Sequence, residues 1–136
     1  GRPSFTIGEQ EMEIGIGIHG EPGHERRLLE TADEIVDDLL PPIVSELELD
    51  STTRVAMLVN GLGATPMEEL YILTRAALAR LGRLGVTVAY QLVGEYATSL
   101  EMAGASISIM KLDAELEELL ADPAQPVLAT FPPVRR

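Results

Sequence analysis

The chain has 136 residues and no cysteine, 46% hydrophobic and 4% aromatic residues, and a formal net charge of −12 at pH 7. That length holds one domain with a core of Leu, Ile, Val, Ala and Met rather than two domains, and the hydrophobic content excludes disorder. The missing cysteines exclude disulfides and thiolate metal sites and leave a reducing, cytoplasmic setting acceptable, while the acid excess disfavours nucleic acid and anionic membrane, both polyanions. No run is long and apolar enough to cross a membrane, and the opening GRPSFTIGEQ has no signal-peptide architecture.

In chain order, Phe5-Thr6-Ile7 reads as a short strand or an extended arm. The stretch Glu11–Gly23, EMEIGIGIHGEPG, then alternates as far as His19. Met12, Ile14, Ile16 and Ile18 fall on one side; Glu13, Gly15, Gly17 and His19 fall on the other. A period of two predicts a half-buried strand whose apolar side faces a core. Glycine inside a strand marks close approach by a ligand or another backbone, so the opposite side reads as cleared. The strand delivers His19 to its end, above a Gly20-Glu21-Pro22-Gly23 turn. From spacing alone, a lone histidine beside a turn is more often solvated or capped than catalytic. Glu21 reads as a residue on the turn rim and His24 as a solvated loop residue.

The next segment places apolar residues at 28, 29, 32, 35, 36, 39, 40, 43, 44 and 47, a spacing that predicts an amphipathic helix. Pro41 and Pro42 fall inside it. An interior proline removes a hydrogen bond at a cost of about 3 kcal/mol, so a kink or a break into two pieces is expected. Thr53–Val59 reads as a strand buried on both faces, ending in the glycine-rich Asn60-Gly61-Leu62-Gly63-Ala64. Thr65 is the expected N-cap of the following helix, with Pro66 first in the helix and Glu68 completing a capping box. Leu70, Leu73, Ala77 and Leu81 form its apolar stripe, and Gly82 or Gly85 supplies the stop.

A glycine-rich loop before a helix suggests a phosphate site. Here the loop lacks GxxxxGK[ST] and GxGxxG, and Glu68 and Glu69 occupy the first turn. It reads instead as a cleft edge or an intersubunit surface. Val86–Val93 reads as a further strand, and Gly94–Gly104 as a loop with one helical turn at Ser99–Met102. Ala105–Lys111 alternates Ile107 and Ile109 against Ser106 and Ser108, a last strand, and Asp113 caps a short acidic helix over Ala114–Ala121. Prolines keep the tail extended. Strands alternating with helices predict an α/β fold: a two-layer domain with a mixed β-sheet and helices mainly on one face, single over residues 1–136.

The run GIGIHGEPG resembles the signature of the dihydroxyacetone kinase family, in its dihydroxyacetone-binding (DhaK-type) subunit. LVNGLGATPMEELY (Leu58–Tyr71), VGEYATSLEMAGASISIMKLD (Val93–Asp113) and the Pro-rich tail are similar to the same family in the same order. The likeness is to the C-terminal half of that subunit, its second domain, so the chain reads as a fragment whose N-terminal half is absent. The resemblance implies that His19 bonds covalently, as a hemiaminal, to the carbonyl of dihydroxyacetone or a similar short ketose such as erythrulose. With an ordinary pKa of about 6.5, most imidazole at pH 7 is neutral and can add to an unhindered ketone. It further implies phosphoryl transfer to a substrate hydroxyl, with the base residues in the preceding half. No cofactor is implied for this chain; Mg and ADP or ATP belong to a DhaL-type partner subunit or domain, and a homodimer is expected. The alternative is a non-catalytic ketose-sensing or coactivator paralogue of the same fold.

Overall fold

The strand that the other elements assemble on is β3 (Arg54–Gly61), rich in β-branched and large apolar residues. The computed structural model describes residues 6–17 and 21–124. β3 lies between β4 (Thr87–Gly94), its parallel neighbour, and β5 (Ala105–Lys111), its antiparallel one, in a three-stranded mixed sheet of order β4-β3-β5. A parallel pair needs a crossover, and α2 (Met67–Arg83) supplies it. α1 (Ala32–Glu46) packs beside α2, and a separate two-stranded sheet joins β1 (Glu11–Ile14) to β2 (Glu25–Leu28).

Val55, Met57 and Val59 point from β3 into a core with Val36 and Leu40 of α1 and Leu70, Leu73, Ala76, Ala77 and Leu81 of α2. Each Val, Leu or Met side chain among them contributes about 1.5–3 kcal/mol by leaving water. Ile107 and Ile109 of β5 pack against the same cluster, as their alternation with Ser106 and Ser108 predicts. The expectation that β3 is buried on both faces fails on the second one. Ala56 and Leu58, with Tyr90 and Leu92 of β4 and Met110 of β5, lie partly open beside the short α3 (Ala114–Ala121). The fold is the expected mixed α/β arrangement, with its two long helices on one face of the sheet.

The predicted long helix begins later than its apolar spacing suggests, because Glu25–Leu28 is a strand paired to β1. The start is set by Thr31, whose side chain accepts from the Glu34 N–H while Glu34 accepts from the Thr31 N–H, a reciprocal cap. Pro41 and Pro42 sit inside one uninterrupted helix rather than dividing it. The carbonyls they leave without a helical partner belong to Asp37 and Asp38, which are exposed, so water can satisfy them. Thr6 and Ile7 adopt neither helix nor strand, and Phe5 and the Pro-rich tail from residue 125 lie outside the described residues.

α2 ends as predicted at Gly85, whose φ of +77° is a conformation that favours glycine. Val86 N–H donates to Leu81 C=O at 3.1 Å and Gly85 N–H to Gly82 C=O at 3.0 Å, closing the last turn. Its start is different from the predicted one. Pro66 is the cap and no side chain caps the helix. Thr65 is engaged elsewhere: its hydroxyl donates to Gly104 C=O and accepts from Gly104 N–H, both at 2.8 Å. Asp113 caps α3 as expected, accepting from Leu116 N–H at 2.8 Å.

Two loops at the C-terminal ends of β3 and β4 are therefore knitted together. Asn60, 3% exposed, is their hub. Its carboxamide oxygen accepts from Tyr96 N–H at 2.8 Å and Ala97 N–H at 2.9 Å, and its nitrogen donates to Ala97 C=O at 2.9 Å. Gly63, at φ +123°, lets the Leu100 carbonyl approach so closely that a Cβ would lie 2.0 Å from it. The segment predicted as a helical turn is a tight turn, with Met102 N–H donating to Ser99 C=O at 3.1 Å.

Replacing Asn60 with Ala removes three hydrogen bonds to the backbone of Tyr96 and Ala97 and is expected to cost about 2–4 kcal/mol, read as a lowered urea midpoint with an unchanged slope. At the start of β3, Asp50 accepts from Thr52 N–H and from the hydroxyls of Thr52 and Thr53, which hold its carboxyl down at about 2. A depressed carboxyl stabilises the fold above its unfolded value of about 3.8 and stops doing so as pH falls towards 2. Acid unfolding followed by circular dichroism is expected to show a decline over that window, flattened in Asp50→Ala.

Candidate functional site

The candidate residue His19, together with Ile18 and Gly20, lies outside the described residues. The backbone on both sides of it is described, and it defines a hairpin. In register, Glu11 faces Leu28, Met12 faces Arg27, Glu13 faces Arg26 and Ile14 faces Glu25. The strand predicted to run as far as His19 stops at Ile14, because Gly15 turns the chain out of the extended region with φ +77°. Beyond the ladder, His24 N–H donates to Ile14 C=O at 3.0 Å and forms the neck. Further out, Gly17 N–H donates to Glu21 C=O at 3.0 Å. That bond joins the described residues on either side of 18–20, and the predicted turn, which begins at Gly20, lies partly outside the described residues.

The glycines do clear space, but the hairpin's own side chains fill it. A Cβ on Gly15 would lie 2.3 Å from His24 Nδ1, and one on Gly17 would lie 2.0 Å from Glu21 Oε2. His24, exposed as predicted, therefore lays its ring over Gly15, and the exposed Glu21 lays its carboxylate over Gly17. Gly23 differs in kind, since its absent Cβ would sit 2.5 Å from a backbone atom, the Ile14 carbonyl oxygen. The neck requires glycine there because backbone, not a movable side-chain end, occupies that space.

Glu13 was legible only as one of the alternating polar positions, yet it makes the most specific contacts in the hairpin. Its Oε2 accepts from Arg26 at 2.8 Å and its Oε1 from Gly23 N–H at 2.8 Å. The Arg26 hydrogen bond first, and the Gly23 amide second, hold its carboxyl below the ordinary glutamate value. Arg27, opposite Met12, fastens the hairpin to the body of the domain through Asp38 of α1 and, at 3.2 Å, Glu30. Spacing shows none of this, because a cross-strand partner is visible only once β2 is recognised as a strand.

In the glycine-rich loop after β3, Leu62 N–H donates to Gly104 C=O at 3.0 Å and Ala64 N–H to Met102 C=O at 3.1 Å, so these two amides are already engaged. Among the described residues, no group of three or more His, Cys, Asp and Glu is placed to hold a metal ion. An open cleft of about 490 Å³ lies between α3 and the sheet, lined by Arg54, Tyr90, Leu112, Glu117 and Leu120 among others. Its lining includes none of the hairpin residues, and Arg54 pairs with Glu117 across it. No helix of the described residues is long and apolar enough to cross a membrane.

Comparison with known proteins gives a consistent picture. Residues 1–128 match the Dak1 domain. The chain is 43% identical over 123 residues to the dihydroxyacetone-binding subunit DhaK of PTS-dependent dihydroxyacetone kinase 2 from Listeria innocua, covering 90% of this chain and 37% of that one. It is 40% identical over 126 residues to the L-erythrulose kinase of Pectobacterium atrosepticum, covering 90% of this chain and 21% of that one. Among solved structures, the dihydroxyacetone kinase operon co-activator DhaQ superposes with a TM-score of 0.82 at 31% identity, over 90% of this chain and 38% of that one. The chain thus spans little more than a third of the first of these relatives.

The hairpin geometry makes a direct prediction. Gly23→Ala is expected to break the neck, so that the His24 amide loses its protection in hydrogen exchange followed by NMR. Gly17→Ala is expected to keep that protection, because the added methyl meets the Glu21 side chain, its Cβ at 2.8 Å included, and not the Ile14 carbonyl that forms the neck.

Proposed function

We infer the function from one premise: this chain belongs to the Dak1 domain family. We propose that it is a single-domain, C-terminal portion of a DhaK-type subunit that binds dihydroxyacetone or a similar short ketose for phosphorylation. The observation that carries this reading is the match over residues 1–128, which includes the whole hairpin and His19.

In this reading His19 is the ligand-binding group. The lone-pair nitrogen of its neutral imidazole forms a bond to the ketose carbonyl carbon. The carbonyl oxygen takes up a proton and the other ring nitrogen releases one, so the hemiaminal is neutral and nothing leaves. A three-carbon ligand has little surface from which to gain affinity, so a bond to its functional group supplies recognition that area cannot. Glycerol, lacking a carbonyl, cannot be held this way. Dihydroxyacetone and erythrulose present the same hydroxymethyl ketone, and relatives are named for each.

Phosphoryl transfer to the ketose hydroxyl needs positioning, charge stabilisation and a base. We assign the base to the part of the subunit that precedes this chain, and Mg with ADP or ATP to a DhaL-type partner, recharged by ATP or by a phosphotransferase protein. A homodimer in the cytoplasm completes the proposal. A second reading, a ketose-sensing coactivator without kinase activity, is favoured by one observation, the likeness to DhaQ at 31% identity.

The test uses the full-length subunit with dihydroxyacetone labelled with carbon-13 at the carbonyl. The labelled carbon is expected to move into the tetrahedral region of the NMR spectrum on binding, and to stay at the free-ketone position with His19→Ala. A wild-type spectrum of free ketone alone overturns the proposal. Adding a DhaL-type subunit and nucleotide then separates the two readings: ketose phosphate forms in the first and not in the second.

A further inference from the structure

We propose that the dipeptide Asn60-Gly61 is a self-modifying site, silent in the folded domain and active once the end of β3 opens. Asn60 is the only asparagine in the chain, and a glycine follows it. In that order the Gly61 main-chain nitrogen can reach the Asn60 side chain, because no Cβ on Gly61 obstructs the approach. The Gly61 nitrogen loses its proton and attacks Asn60 Cγ, forming a cyclic imide. The bond from Cγ to Nδ2 breaks, and the carboxamide nitrogen leaves as ammonia with the proton that Gly61 gave up. Water then opens the ring, giving aspartate when it adds at the Gly61 side of Cγ and isoaspartate when it adds at the main-chain carbonyl carbon. Solvent is the only co-reactant, and nothing is oxidised or reduced. Asparagine counts among the thermolabile residues.

The native geometry holds this reaction off. Asn60 is 3% exposed. Its Oδ1 accepts from the Tyr96 and Ala97 amides, and its Nδ2 donates to the Ala97 carbonyl. Gly61 is the last residue of β3 and lies in register with Ala105 of β5. Attack on Cγ therefore requires the carboxamide to leave all three partners and the main chain to bend out of the strand. The same contacts decide what the product does. Aspartate sets an oxygen where Nδ2 stood, 2.9 Å from the Ala97 carbonyl oxygen, with no donor between them in a site closed to water. Isoaspartate routes the main chain through the side chain, and the extra methylene disturbs the alternation of the central strand. Either product undoes the tie between β3 and the loop after β4. Opening that lasts long enough thus becomes irreversible, so the working life of the domain is set by how rarely this corner opens.

The test incubates the full-length subunit in native buffer and in urea, and follows the tryptic peptide Val55–Arg75, in which Asn60 is the one asparagine, by mass spectrometry. Conversion of amide to acid in that peptide is expected to be slower in the native protein by about tenfold or more, since three hydrogen bonds must be released first. Native and urea rates within about threefold of each other overturn the protection. Gly61→Ala is expected to slow conversion in urea about tenfold, a measurement that needs no folded state, and an unchanged rate there overturns the chemistry assigned to the pair. Asn60→Asp is the aspartate product made directly. It is expected to unfold at a urea concentration lower by about 1 M, or not to fold, and a midpoint at or above that of the wild type overturns the irreversibility.

Discussion

A buried carboxamide at the end of the central strand holds this fold to one arrangement. Asn60 uses its oxygen twice and its nitrogen once, always on the backbone of residues 96 and 97, and it is almost wholly out of water. A buried amide with those partners is favourable, and without them it carries a desolvation penalty of about 1–3 kcal/mol. The loop after β4 is thereby tied to the end of β3, and the Thr65 and Gly63 contacts follow from that closeness. The route by which β5 returns antiparallel to β3 begins at this point.

The hairpin is organised by the same kind of device on a smaller scale. There too a single polar side chain, Glu13, binds a backbone amide that lies beyond the regular ladder. Glycines in both places permit an approach that a Cβ would forbid, with the Leu100 carbonyl over Gly63 and the Ile14 carbonyl over Gly23. In each case the local cost of glycine is offset by fixing a loop that has no helix or strand to define it. Loops set on a rigid frame of sheet and helices are where binding and catalytic residues are found disproportionately often.

The elements with a long period were legible from the residues. The stripe of α2, the alternation of β5 and the cap at Asp113 all stand as read, because burial of one face decides them and burial leaves a pattern. Short elements decided by a partner were not. Glu25–Leu28 carries only one apolar residue, Leu28, which fits the helical spacing that follows, so its pairing with β1 was invisible. The capping box of Thr31 and Glu34 was a signal available for placing the true helix start. Thr65 misled for a related reason: its hydroxyl suits a helix cap, and a tertiary partner at Gly104 outcompetes that local use. The glycines of the hairpin were correctly read as marks of close approach. What approaches, however, is His24 and Glu21 from the same hairpin. The candidate residue His19 was named through the motif it resembles and lies outside the described residues, and the contacts of the hairpin around it were not legible.

The arginines described earlier have a bearing on what this surface can hold. Among the described residues every arginine is in an ion pair: Arg26 with Glu13, Arg27 with Asp38, Arg54 with Glu117, Arg75 with Asp33, and Arg80 and Arg83 with Asp37. The remaining described cation, Lys111, donates to the Leu47 carbonyl. A free anion approaching this surface therefore finds no unengaged arginine or lysine among the described residues, in a chain whose acids outnumber its bases.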